Sequence, residues 1–217
     1  MNLSKFNFIS ELEEEYGKNP ALCYQCHKPI KFKKFYEQFD NPHKYCCKKC
    51  RASSTEIDDK PEISMKFSSE TEKIIYTYLT YKYPYYIIRH NIVDMFPPYE
   101  IDMCIETEYE NIYIEYNSNL HLPKNGKLQK SSERHQLNDA IKKLEICENR
   151  QCKLIRVWSK SGLYSKPDRF NDVLLALKRE IDYLINARNA YGQCLDLVVE
   201  RDGEIFRYNS KFKKTAA

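Results

Sequence analysis

Apolar and polar residues alternate through Ile101-Asp-Met-Cys-Ile-Glu106 and again from Ile112 to Asn117. A period of two marks a half-buried strand, and Thr107 to Asn111 supply turn residues between the runs, so the pattern predicts a hairpin. Elsewhere the period lengthens. Phe6, Phe8, Ile9, Leu12 and Tyr16 recur at helical spacing and predict a short amphipathic helix over residues 5–16. Ser69 and Glu72 have the spacing of a capping box ahead of Ile74, Ile75, Tyr78 and Leu79, which predicts a helix start.

A strand is expected near Tyr85 to Asn91 and a helix from about Ser132 to Glu148. On that helix Leu137, Ile141 and Leu144 define the apolar stripe, which puts His135, Asp139 and Lys142 on the opposite face. Lys153 to Trp158 is largely apolar and predicts a central strand. Lys166 to Tyr191 predicts a long helix, with Phe170, Val173, Leu174, Leu177, Ile181 and Leu184 on one face. Leu195 to Arg207 reads as a closing hairpin turned by Asp202-Gly203. This order predicts an α/β fold, a mixed sheet flanked by helices. The Ser, Thr, Asp and Pro of Arg51 to Pro61 read as a linker between residues 1–60 and 61–217.

Composition narrows the class. With 42% hydrophobic residues and only 5 Gly in 217 residues, the chain is globular rather than disordered. It carries neither a signal-peptide pattern nor an apolar run of membrane-spanning length, so an intracellular location, the cytoplasm or nucleoid of a host cell, is expected. Positive charge is concentrated. Cys23 to Arg51 holds eight Lys and Arg against two acidic residues, and Leu122 to Lys160 holds ten against four. Lys28, Lys31, Lys33, Lys34, Lys48 and Lys49 in the first stretch, and Lys124, Lys127 and Lys130 in the second, are candidate contacts to the phosphates of double-stranded DNA.

Two Cys-x2-Cys pairs, Cys23/Cys26 and Cys47/Cys50, lie 20 residues apart. In a reducing compartment, spaced pairs predict a tetrahedral zinc site. Cys46 adjoins Cys47 and can replace it; His27 and His43 are less regular substitutes. Cys104, Cys147, Cys152 and Cys194 sit in apolar contexts and are expected in the core. In the hairpin, Asp102 and Glu115 fall on neighbouring strands, near enough to share one Mg²⁺, a cation that takes one or two carboxylates and leaves its other positions to water and phosphate.

Taken together, Ser69-Glu-Thr-Glu72-Lys, Glu100-Ile-Asp102, Ile114-Glu-Tyr-Asn117 with His121 following, Asp139-Ala-Ile-Lys142 and Leu154-Ile-Arg-Val-Trp158 resemble the Vsr-like branch of the PD-(D/E)XK nuclease superfamily. That branch includes very-short-patch repair endonucleases and phage-type homing endonucleases. The resemblance implies a restriction-endonuclease-like fold and Mg²⁺-dependent hydrolysis of DNA. Asp102 then matches the central metal-binding aspartate, Glu115 the acid on the next strand, and Glu72 an auxiliary acid that orients water. His121 matches a histidine that assists water activation, and Asp139 a later aspartate with Lys142 beside it. Asn117 stands where the broader superfamily has lysine, while Ser118 replaces the family's usual glycine after this Asn and Leu120 its usual tryptophan before the histidine. The alternative is a zinc-containing nucleic-acid-binding protein whose nuclease fold has lost catalysis.

Overall fold

The computed structural model describes residues 6–39, 43–53, 69–118, 131–159, 166–187, 192–200 and 204–210. The chain forms two compact units, Met1–Glu70 and Thr71–Ala217.

In the first unit, helix α1 (Asn7–Lys18) is followed by two short helices, α2 (Phe32–Glu37) and α3 (Lys48–Ala52). Phe6, Phe8, Ile9, Ile30 and Tyr36 are buried. The Tyr16 ring lies 4.4 Å from that of Phe35, and its hydroxyl donates to the Ile30 carbonyl at 2.7 Å. So small an apolar core buries little surface, and a metal centre is the usual supplement in units of this size.

The second unit contains α4 (Glu70–Lys82, its first residue at the unit boundary), β1 (Ile87–Ile92), β2 (Ile101–Glu106), β3 (Asn111–Ser118), α5 (Ser131–Arg150), β4 (Lys153–Ser159), α6 (Pro167–Asn186), β5 (Cys194–Val199) and β6 (Ile205–Ser210). The six strands form one sheet in chain order. β1, β2 and β3 are antiparallel neighbours, β3, β4 and β5 run parallel, and β6 returns antiparallel to β5. This is the expected mixed sheet flanked by helices.

The pleat sorts residues onto two faces. Cys104, Tyr113, Leu154 and Cys194 pack with Leu144 and Cys147 of α5. The other face meets α4 and α6. The Tyr76 ring stands edge-on to His90 at 5.5 Å, the Tyr83 hydroxyl donates to Asp182 at 2.8 Å, and the Lys153 ammonium donates to the Leu184 and Ala187 carbonyls at 2.6 and 3.1 Å. Lys153 thus caps the C-terminal end of α6, where carbonyls lack helical partners, and pairs with Glu110 at 3.1 Å.

α5 is turned by one residue from the expected phase. Ala140, Lys143, Leu144 and Cys147 are buried, while Ile141 is 41% exposed. Hydrophobicity alone placed Ile141 inward. The stripe instead includes a lysine because that lysine has a partner on the sheet.

Candidate metal centres

In the first unit, Cys23 N–H donates to the Lys28 carbonyl and His27 N–H to the Cys23 carbonyl, both at 2.8 Å, and His27 takes a left-handed φ of 56°. This tight knuckle directs Cys23 and Cys26 to one point. Tyr24 N–H donates to Lys44 O at 2.9 Å, which brings the second cysteine run alongside. Cys46 Sγ then lies 3.6 Å from Cys26 Sγ and 3.5 Å from Cys50 Sγ.

The sulfurs of Cys23, Cys26, Cys46 and Cys50 all lie within 4.8 Å of one another, a set that can hold zinc. The expected set therefore changes by one position: Cys46 takes the place of Cys47. Cys46 lies just ahead of α3, four residues before Cys50, and it is the Cys46 sulfur that stands within 3.6 Å of both Cys26 and Cys50. Cys47 is the extended N-cap residue of α3, and its side chain is exposed. Burial raises the Cys23 thiol, but amide donors from Cys46, Cys26 and Gln25 outweigh it and bring its pKa down to about 6. The neighbouring sulfurs of Cys46 and Cys47 push Cys50 upward. A divalent cation relieves that crowding by taking the thiols as thiolates.

In the second unit, Met103 pairs with Ile114, so one step further along the ladder Asp102 and Glu115 face each other. Glu115 pairs with Arg156 on β4, and Arg156 with Asp196 on β5. A charged row therefore crosses four strands on the face that α5 covers. Asp102 Oδ2 accepts the Tyr116 N–H at 2.6 Å. Glu115 Oε1 is ion-paired to Lys143 of α5, while Glu115 Oε2 and Asn117 Nδ2 are buried without a hydrogen-bond partner. Arg156 holds Asp196 through two N–H···O bonds at 2.7 and 2.8 Å and donates a third at 3.0 Å to the Ala140 carbonyl. Trp158 Nε1 adds a bond to Asp196 at 2.8 Å.

Burial pushes the Asp102 carboxyl well above the ordinary carboxylate range. The negative charges of Glu115 and Glu72 add to the rise, and the Tyr116 N–H and Lys143 oppose it. Glu115 is also raised by burial, in spite of Lys143. Glu72 is buried in the first turn of α4, within electrostatic reach of Asp102. The carboxylates of Glu72, Asp102 and Glu115 do not form a group with all ligand atoms within 4.8 Å; among the described residues only the cysteines do.

Lys142 is exposed and pairs with Glu145 at 2.8 Å, so the lysine of α5 that reaches the acidic row is Lys143. Asp139 is half-buried, one residue before Ala140. Lys28, Lys31, Lys33, Lys48 and Lys49 are exposed, whereas Lys34 pairs with Glu37. In the second basic stretch Lys143, Lys153 and Arg156 are buried and used internally, so they are withdrawn from any surface patch. His121, Lys124, Lys127 and Lys130 lie outside the described residues. Sequence reading missed Lys143, Arg156 and Asp196. For the last two a signal existed, since each is a charge amid an apolar strand and needs a partner, as Asp102 does.

No protein-family model and no curated protein matches the sequence. Among solved structures, SfsA from Pyrococcus furiosus in complex with Ca²⁺ is similar at 18% identity and a TM-score of 0.27, over 64% of this chain and 60% of that one. The match thus spans less than two thirds of that protein.

Proposed function

We propose that this protein is a metal-dependent endonuclease that hydrolyses phosphodiester bonds in double-stranded DNA and carries a structural zinc module. The observation that carries this reading is the facing pair Asp102 and Glu115, with one Glu115 oxygen buried and unbonded. Two buried carboxyls, both raised by burial and Asp102 further raised by the charges of Glu115 and Glu72, suit a hard divalent cation, and Mg²⁺ asks for no more than one or two of them. When bound, Mg²⁺ lowers the pKa of a water and offsets charge on the scissile phosphate.

The chain's own residues do the rest. The Tyr116 N–H fixes Asp102 through Oδ2 and leaves its other oxygen for the cation. Lys143 holds Glu115 through Oε1, which leaves Oε2. Lys143 also supplies positive charge near the position where Asn117 stands in place of lysine. Glu72 orients water, His121 assists its activation, and Asp139 has an accessory role. Lys28, Lys31, Lys33, Lys48 and Lys49 contact phosphates without reading sequence.

The alternative is a zinc-containing nucleic-acid-binding protein with a silent nuclease fold, favoured by the Lys143–Glu115 pair, which already neutralises one carboxylate. Supercoiled plasmid separates the two readings. Full-length, zinc-loaded protein should convert it to open-circular or linear form when Mg²⁺ is added and not when Mg²⁺ is omitted. Folded protein that binds duplex DNA yet leaves the plasmid supercoiled at every Mg²⁺ concentration establishes the alternative.

A further inference from the structure

α5 ends in a turn of defined type. Gln151 N–H donates to the Glu148 carbonyl at 3.3 Å, Cys152 N–H donates to the Cys147 carbonyl at 3.1 Å, and Gln151 is left-handed at φ 54°. These are the paired bonds of a Schellman motif, whose first and last residues commonly touch through their side chains. Here both residues are cysteines. The Cys147 thiol donates to the Cys152 carbonyl at 3.0 Å, and the Cys152 thiol reaches the Cys147 carbonyl at 3.7 Å, so each sulfur sits against the other residue's backbone. A direct N–H···O=C bond between the two residues keeps their Cα atoms near the separation a disulfide spans, about 4.4–6.8 Å.

Access is asymmetric. Cys147 is fully buried, while Cys152 lines a cavity of about 430 Å³ with Met95, Tyr109, Tyr113, Arg150 and Gln151. From this geometry we infer that Cys147 and Cys152 are a thiol–disulfide modification site at the α5–β4 turn, with a small-molecule disulfide as oxidant entering through that cavity. The Cys147 thiol beside it lowers the Cys152 thiol against the cost of burial, with help from Arg150, while that same contact and burial push Cys147 upward. Cys152 is therefore the attacking group.

Its thiolate displaces one thiolate from the small disulfide and forms a mixed disulfide. That leaving thiolate takes the Cys147 proton as Cys147 attacks Cys152 Sγ, and the second small thiol departs as thiolate. Two protein thiols are oxidised and one disulfide is reduced to two thiols. The product ties the end of α5, one turn beyond Lys143, to the start of β4, ahead of Arg156. The inference stands independently of the nuclease reading.

Incubation of the full-length, zinc-loaded protein with oxidised glutathione, followed by tryptic mapping under non-reducing conditions, tests it. The expected product is peptide Leu144–Arg150 joined to Gln151–Lys153, reversible by dithiothreitol, with a melting temperature raised by roughly 4 °C. In Cys147→Ser the reaction should stop with one glutathione on Cys152. Unmodified Cys152, a stable glutathione adduct in the wild type, or linkage of Cys152 to Cys104 or Cys194 overturns the inference, and the wild-type map decides even if the variant does not fold.

Discussion

Glu115 of β3 and Lys143 of α5 form a buried ion pair that joins the sheet to the helix covering it. Removing one partner strands the other charge in a site that water reaches poorly. Lys143→Met is therefore expected to cost about 3–5 kcal/mol in urea unfolding and to slow plasmid cleavage. Lys142→Met, one residue away on the exposed side, should leave the unfolding midpoint unchanged. Equal effects of the two variants would contradict the observed phase of α5.

The four sulfurs that converge in the first unit make a matched pair of predictions. Cys46→Ser should lose the zinc and unfold this unit, since structural zinc in such modules contributes on the order of 10 kcal/mol. Cys47→Ser should keep one zinc per chain and the folded unit. Elemental analysis with far-ultraviolet circular dichroism reads both, and zinc lost from Cys47→Ser but kept in Cys46→Ser would reverse the assignment.

Much of this was legible in the sequence. The alternation in Ile101–Glu106 and Ile112–Asn117 yields the hairpin and places Asp102 beside Glu115 without any tertiary information. Helical spacing likewise finds α1, α5 and α6. What escaped depends on partners. The helix α5 faces the sheet with Ala140, Lys143 and Cys147, whose hydrophobic signal is weak, so Ile141 pulled the expected phase round by one residue. Neither Lys143 nor Lys153 reads as buried until Glu115, or Glu110 and the end of α6, is set against it. The choice between Cys46 and Cys47 rests on where α3 begins, a distinction of one residue that spacing leaves open. The two short helices α2 and α3 have no periodic signal of their own.

Asp102 also sets a pH dependence. Its folded pKa is raised, so as pH climbs above the ordinary carboxylate value of about 3.9 the unfolded chain loses this proton first, and stability falls until the folded carboxyl ionises. Without divalent cation, Asp102→Asn should be more stable than wild type at pH 7, and the difference should vanish below about pH 4. Adding Mg²⁺ should raise the melting temperature of wild type and not of the variant. A variant less stable than wild type at pH 7 would contradict this reading of the site.

The proposed Mg²⁺ site is tested most directly by the rate at which Asp102→Asn cleaves supercoiled plasmid beside wild type, at matched Mg²⁺ and with duplex binding measured in the same preparation. Wild type is expected to cut, and the variant to lose at least about 100-fold of that rate, the scale of several kcal/mol of transition-state stabilisation lost with a metal ligand. Its DNA affinity should be equal or tighter, because an anion has been removed from the phosphate site. Cleavage by Asp102→Asn at the wild-type rate would contradict the central claim that Asp102 and Glu115 hold the catalytic cation.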